Sequence, residues 1–232
     1  MTALFSYFSV WHGMLDFHRT PSSKRDWHGP LNGQMARQKL ALSILHCVDL
    51  GAVVETGSFR GCTTEFLSSL TLLPVHSVES NPRNHGFAKA RMRRRQNGFL
   101  HLGSSEALLP RILAQYSKSL KPLFFYLDAH WDDYLPLRDE IILIAQACSN
   151  FIILIDDFEV PGDSGYHWDN YGASGQLTFG YISDLVSQFG LHCWYPQMSS
   201  FQETGAKRGS IQISSGSMAE TVQSLPGLRA HV

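Results

Sequence analysis

Residues 53–64, VVETGSFRGCTT, decide the fold: a β-branched run stops at an acid and enters a turn punctuated by glycines. Val53 and Val54, with Ala52 before them, predict the end of a buried strand. Gly57 and Gly61 let the backbone turn sharply and approach a ligand where a Cβ would obstruct. Thr63 and Thr64 then open a helix with apolar Phe66, Leu67 and Leu70. Strand, glycine turn and helix N-terminus together form a cradle of free backbone N–H groups. The spacing is E-x-G-x-x-x-G, not the G-x-G-x-x-G of dinucleotide sites. With Glu55 at the strand end, a hydroxyl-bearing or cationic ligand suits the cradle better than a pyrophosphate.

Outward from this stretch, strands and helices alternate. Residues 74–79, 99–102, 123–127 and 151–155 predict further strands, with two last ones near 191–195 and 209–213. Helical apolar spacing runs over 34–49, from Pro82, after Gly103, over 135–147 and near 176–189. Residues 16–33, with Pro21, Gly29-Pro30 and Asn32-Gly33, predict a loop. Apolar runs separated by helices predict an α/β fold, a mostly parallel seven-stranded sheet covered on both faces. Ligands of such sheets bind beyond the carboxyl ends of the strands. Glu55, Glu79, Ser105, Asp128 and the pair Asp156-Asp157 stand at five successive strand ends.

The segment 128–169 holds ten of the chain's 20 acids against Arg138 alone. Asp128, Asp156 and Asp157 follow buried strands that should be neighbours, so their carboxylates are expected to converge. Like charges without basic partners raise one another's pKa, and a divalent cation relieves that conflict. All-oxygen donors suit magnesium, manganese or calcium better than zinc. His130, two residues past Asp128, should overhang the same pocket. Glu79 is placed to hold both hydroxyls of a ribose. Ser105 is either an adenine contact or a plain helix cap.

The net charge is −1, which leaves no global footprint for nucleic acid. Cys47, Cys62, Cys148 and Cys193 lack metal or disulfide spacing, and reduced cytoplasmic thiols are the simplest expectation. The aromatic N-terminus is too short for a membrane span. Residues 1–33 are therefore expected to form an arm or helix, a lid or a contact with a partner copy, ahead of one domain over 34–232. Neither nucleic acid nor membrane is an expected partner. The arginines between Arg83 and Arg95 are expected to form a solvated helix face.

With these residues assembled, the chain resembles class I S-adenosylmethionine-dependent methyltransferases, in particular metal-dependent small-molecule O-methyltransferases of the catechol O-methyltransferase kind. VVETGSFRGCTT with VHSVESNP resembles the cofactor loop and ribose acid, and LGSSEALLP the adenine side. YLDAHWDDYLPL and LIDDFEVPGD resemble the metal-binding strand ends. The resemblance implies that Glu55, Gly57, Ser58, Gly61, Thr63, Glu79, Ser80, Ser104, Ser105 and Asp128 hold S-adenosyl-L-methionine. It also implies that Asp128, Asp156 and Asp157 hold Mg²⁺ or another divalent cation. The chain departs from the catechol enzyme at Asp157, where that enzyme has asparagine, and at Asp132, which follows Trp131 where a lysine base stands. His130 and Asp132 are the candidates for the base, and the acceptor is expected to be a small-molecule hydroxyl. The loop after Asp157 is expected to wall the acceptor site. Other chemistry on the same fold, hydroxylase-like, is the alternative, and a non-catalytic binding module is a further one.

Overall fold

The structure, a computed structural model, describes residues 2–19, 28–130, 135–172 and 175–231. Helix α1 (Thr2–Arg19) precedes a tight turn at Pro30–Gly33 and α2 (Met35–Cys47). Then β1 (Ala52–Thr56), α3 (Cys62–Leu70), β2 (Val75–Glu79), α4 (Pro82–Met92), β3 (Gly98–Leu102) and α5 (Ser105–Ala114) alternate. The second half runs β4 (Leu123–Leu127), α6 (Leu137–Ala147), β5 (Phe151–Asp156), α7 (Phe179–Phe189), β6 (His192–Pro196), β7 (Ser210–Ser214), α8 (Ala219–Gln223) and β8 (Leu228–Ala230).

The sheet order is β3-β2-β1-β4-β5-β7-β6-β8. Strands β1 to β5 are parallel, whereas β7 lies antiparallel between β5 and β6. The sheet thus has eight strands where seven were expected. The additional β8 is three residues, Leu-Arg-Ala, paired to β6 at the outer edge. It has no β-branched run to announce it.

Period-two alternation divides each central strand between two apolar layers. Val53, Phe124, Tyr126, Ile152 and Leu154 face α2, α3 and α8 through Leu40, Ile44, Leu67 and Val222. Val54, Phe125, Leu127, Ile153 and Ile155 face α5, α6 and α7 through Leu109, Ile141 and Ile182. Burial on both faces leaves only the strand ends free for chemistry. The edge strand β3 is half exposed.

Two local features differ from the expected loop over 16–33. Residues 16–19 continue α1, which packs along α4 with Val10 against Gly86 and Gly13 against Arg83. A Cβ on either glycine would sit within 2.0 Å of the opposing backbone, so this crossing requires glycine on both helices. At Pro30–Gly33, Leu31 and Asn32 both adopt left-handed backbone. Asn81 caps α4 by accepting from the backbone N–H of Arg83 and Asn84 at 2.9 and 3.2 Å, with Pro82 at the first turn.

Candidate active site

Gly57 fixes the centre of the site. Its φ is +78°, and a Cβ there would lie 2.0 Å from the carbonyl oxygen of Asp128. The glycine loop after β1 therefore touches the end of β4 backbone to backbone, which no residue with a side chain allows. A cleft of about 630 Å³ opens around this contact. One end is lined by Glu79, Ser80, Ser104 and Ser105, the other by Asp128, His130, Asp157, Asp169, Arg208 and Asn32. Phe59, Asp157 and Asn32 line it in left-handed backbone, a conformation that costs free energy for non-glycine residues and gathers at functional sites.

At the first end Glu79 is buried and accepts the Asn81 N–H at 2.7 Å, with further backbone N–H groups from Phe59 and Ser80. Burial outweighs these bonds and pushes its carboxyl up to about 7. Glu55 lies behind, fully buried, accepting from Thr64 and, at 2.6 Å, from Ser77. Desolvation likewise raises it to about 7. Ser104 sits at the cap of α5 without a side-chain cap bond, and the Ser105 hydroxyl is buried beside the Glu140 carboxyl.

The other end is organised by cations that the sequence of 128–169 does not contain. Arg37, buried on α2, forms an ion pair with Asp156 and donates to the carbonyls of Arg208 and Gly209. Asp156 also accepts from the Tyr126 hydroxyl, the Asn32 amide at 2.9 Å and the Asp157 N–H at 2.8 Å. Both of its oxygens are taken. Arg208 bridges Asp157 and Asp169. Burial pushes Asp157 up, but His130 and Arg208 reverse this and hold it below the usual carboxylate range. Asp128 is raised well above that range by burial and then by Asp156, Asp157 and Glu55, with Arg37 opposing. His130 is pulled down by burial yet held above its ordinary value by Asp157, Asp156 and Asp169.

These contacts correct the expected metal set. Asp156 is not one of the converging carboxylates. The groups that converge are Asp128, His130 and Asp157, whose donor atoms lie within 4.8 Å of one another. His130 Nε2 is 3.8 Å from Asp128 and 3.6 Å from Asp157, buried, and without a hydrogen bond. That orphaned nitrogen and the open Asp157 oxygen fit a divalent cation, through a mixed nitrogen and oxygen set instead of an all-oxygen one.

Of the other expected residues, Thr63 accepts the Leu31 N–H at 3.0 Å and so fastens the Pro30–Gly33 turn. Ser58 is buried against Val78, and Gly61 begins α3 in left-handed backbone. Asp132 lies outside the described residues. Sequence reasoning missed Asn32, Arg37 and Arg208. Arg37 had a signal, because it stands on the buried face of α2 with Ala41 and Ile44; an arginine at such a position calls for a buried acid.

The sequence matches no protein-family model and no curated protein. Solved structures do match. The O-methyltransferase from Bacillus cereus in complex with SAH is 13% identical, with a TM-score of 0.57 over 88% of this chain and 90% of that one. The fold is that of class I methyltransferases. Cofactor-bound Rv0187 from MTB is 13% identical at a TM-score of 0.55, covering 83% and 85% of the two chains. The O-methyltransferase TomG from Streptomyces achromogenes, in complex with SAM, is 10% identical at 0.54 and covers 77% and 78%.

Proposed function

We propose that this chain transfers the methyl group of S-adenosyl-L-methionine to a hydroxyl of a small molecule, in a reducing cytoplasmic compartment. One observation carries the reading: a single cleft runs from Glu79 and Ser104–Ser105, past Gly57, to Asp128, His130 and Asp157. Its two ends suit a nucleoside and a reacting hydroxyl. The similar O-methyltransferases with SAH or SAM bound support the same assignment of cofactor.

Methyl transfer is an in-line displacement: the acceptor oxygen forms its bond to the methyl carbon as the carbon–sulfur bond breaks, and the sulfonium becomes a neutral thioether. The protein's tasks are alignment and exclusion of water. Glu79 holds the ribose hydroxyls, and Ser104 and Ser105 face the adenine. The backbone contact of Gly57 with Asp128 keeps the methyl donor beside the acceptor end. The acceptor's proton passes to His130 where its Nε2 is free, and to Asp132 or solvent where a cation occupies that nitrogen. A divalent cation held by Asp128, His130 and Asp157 would supply a Lewis acid that lowers the pKa of the acceptor hydroxyl. A mixed donor set favours Mn²⁺ alongside Mg²⁺.

Calorimetric titration with S-adenosylhomocysteine, followed by transfer of labelled methyl to a panel of hydroxyl acceptors with and without chelator, tests this. Cofactor binding with methyl transfer that is lost in chelator and regained with Mn²⁺ is the expected result. Binding without transfer to any hydroxyl would remove the reaction, and transfer that persists in chelator would remove the metal alone.

A further inference from the structure

The surface of α1 and α4 is not explained by the cleft. Tyr7, Phe8 and Trp11 are 64, 56 and 54% exposed on α1, so three aromatic side chains point away from the helix that α1 packs on. Tyr7 and Trp11 are one helical turn apart, a stripe along a convex surface. The helices run antiparallel, Asp16 pairing with Arg83 at 2.6 Å and Val10 meeting Gly86. The start of α1 is therefore brought toward the far end of α4, where Arg93, Arg94 and Arg95 are exposed and, among the described residues, take part in no ion pair. Asp16 is the one acid of α1, and Arg83 engages it. The face is aromatic, cationic at one end and without a free carboxylate.

We propose that this face docks on an anionic lipid bilayer, with α1 lying in the plane of the headgroups. Tyrosine and tryptophan favour that boundary because their rings are apolar with a polar handle. An interfacial helix combines such rings with neighbouring basic groups. Among the described residues no helix is long and apolar enough to cross a membrane, so the contact is peripheral. Charge decides against a second copy as the occupant: two copies meeting here would bring two arginine sets into one interface with no carboxylate to receive them. Shape decides against nucleic acid, because base stacking needs rings set along a groove that tracks the backbone, and these stand on a convex helix. The chain's net charge of −1 conceals this face, and an N-terminus too short to span a bilayer is still long enough to lie on one.

The full chain is to be sedimented with vesicles of phosphatidylcholine alone and of phosphatidylcholine mixed with phosphatidylserine. Binding to the mixed vesicles only, weakening with salt, is expected. Each surface arginine is worth about 1 kcal/mol near such a membrane, so replacing Arg93, Arg94 and Arg95 together by glutamine should lower partitioning by about a hundredfold. Trp11→Ala should lower it by about tenfold. These residues are exposed, and unchanged circular dichroism will show that the variants remain folded. Equal binding to neutral vesicles, no binding to either, or variants that bind as the parent does would overturn the proposal. So would preferential binding of a single-stranded RNA oligonucleotide, or a dimer in solution that Trp11→Ala abolishes.

Discussion

The two ends of the cleft hold buried acids by opposite means. At the Glu79 end Glu55 and Glu79 are served by neutral groups close to the cradle: two hydroxyls for one, backbone N–H groups for the other. At the His130 end Asp156 and Asp157 are held by guanidinium groups from α2 and from the chain just before β7. Neutral partners leave a buried carboxyl easy to protonate, and Glu55 and Glu79 both rise to about 7. A guanidinium partner opposes that rise: with His130 beside Arg208, Asp157 falls instead, whereas burial still lifts the fully enclosed Asp156 against the pull of Arg37. The first end can change charge near neutral pH, whereas Asp157 at the second stays ionised.

The largest test of this contrast removes a guanidinium. Arg37→Met should cost about 3–5 kcal/mol in denaturant unfolding, because Asp156 is left buried and uncompensated. The double variant Arg37→Met/Asp156→Asn should recover most of it. A loss below about 1 kcal/mol would mean that Asp156 does not depend on Arg37 and is available to another ligand.

Glu140 extends the comparison into the core. It is buried on α6 near Ser105 and Thr56, and burial, outweighing these hydroxyls, raises it from 4.5 to about 7. A carboxyl raised on folding makes the native state the better proton binder between those values, so stability falls as pH climbs through that window. Glu140→Gln should therefore gain about 3 kcal/mol near pH 8 and almost nothing near pH 4. Thermal unfolding of both proteins across pH measures this. Parallel curves would show that Glu140 titrates alike in the native and unfolded states.

A smaller effect is expected at Glu79. Glu79→Ala should weaken S-adenosylhomocysteine binding by about 1–3 kcal/mol. In the parent, affinity should fall as pH drops through about 7, since the ionised form accepts both ribose hydroxyls. Calorimetry that finds the same affinity in a folded variant would take the ribose away from Glu79. The least effect belongs to Arg208→Lys, which keeps the charge but loses the fork that spans Asp157 and Asp169. This pair is partly open to solvent, and a loss of at most about 1 kcal/mol in stability is expected. A loss as large as that of Arg37→Met would erase the distinction between a buried guanidinium and one at the cleft.

The contrast also explains how much was legible in the sequence. The Glu79 end is built from residues close to their own strands, so VVETGSFRGCTT and VHSVE displayed both the fold and its acids. The His130 end depends on Arg37 and Arg208, which lie 119 positions from Asp156 and 51 from Asp157. An acid-rich segment read alone therefore seemed to lack cations, and Asp156 was assigned to a metal when its partner was an arginine. His130 was expected to overhang the pocket, and it does. Its buried Nε2 and the neighbouring carboxylates could be seen only after the chain was folded. Asn32-Gly33 is a pair that favours left-handed backbone, whereas nothing in the sequence marks the same conformation at Leu31.

The antiparallel course of β7 has a wider consequence. Ser210 pairs with Asp156, so residues that enter β7 arrive at the edge of the sheet that parallel strands leave. The connection over 197–209 is thereby returned to the acid-bearing strand ends, where Arg208 spans Asp157 and Asp169 and the Gly209 carbonyl accepts from Arg37. A change of sequence in that one connection would alter the charge beside Asp157 while every residue of the parallel strands β1 to β4 stays as it is.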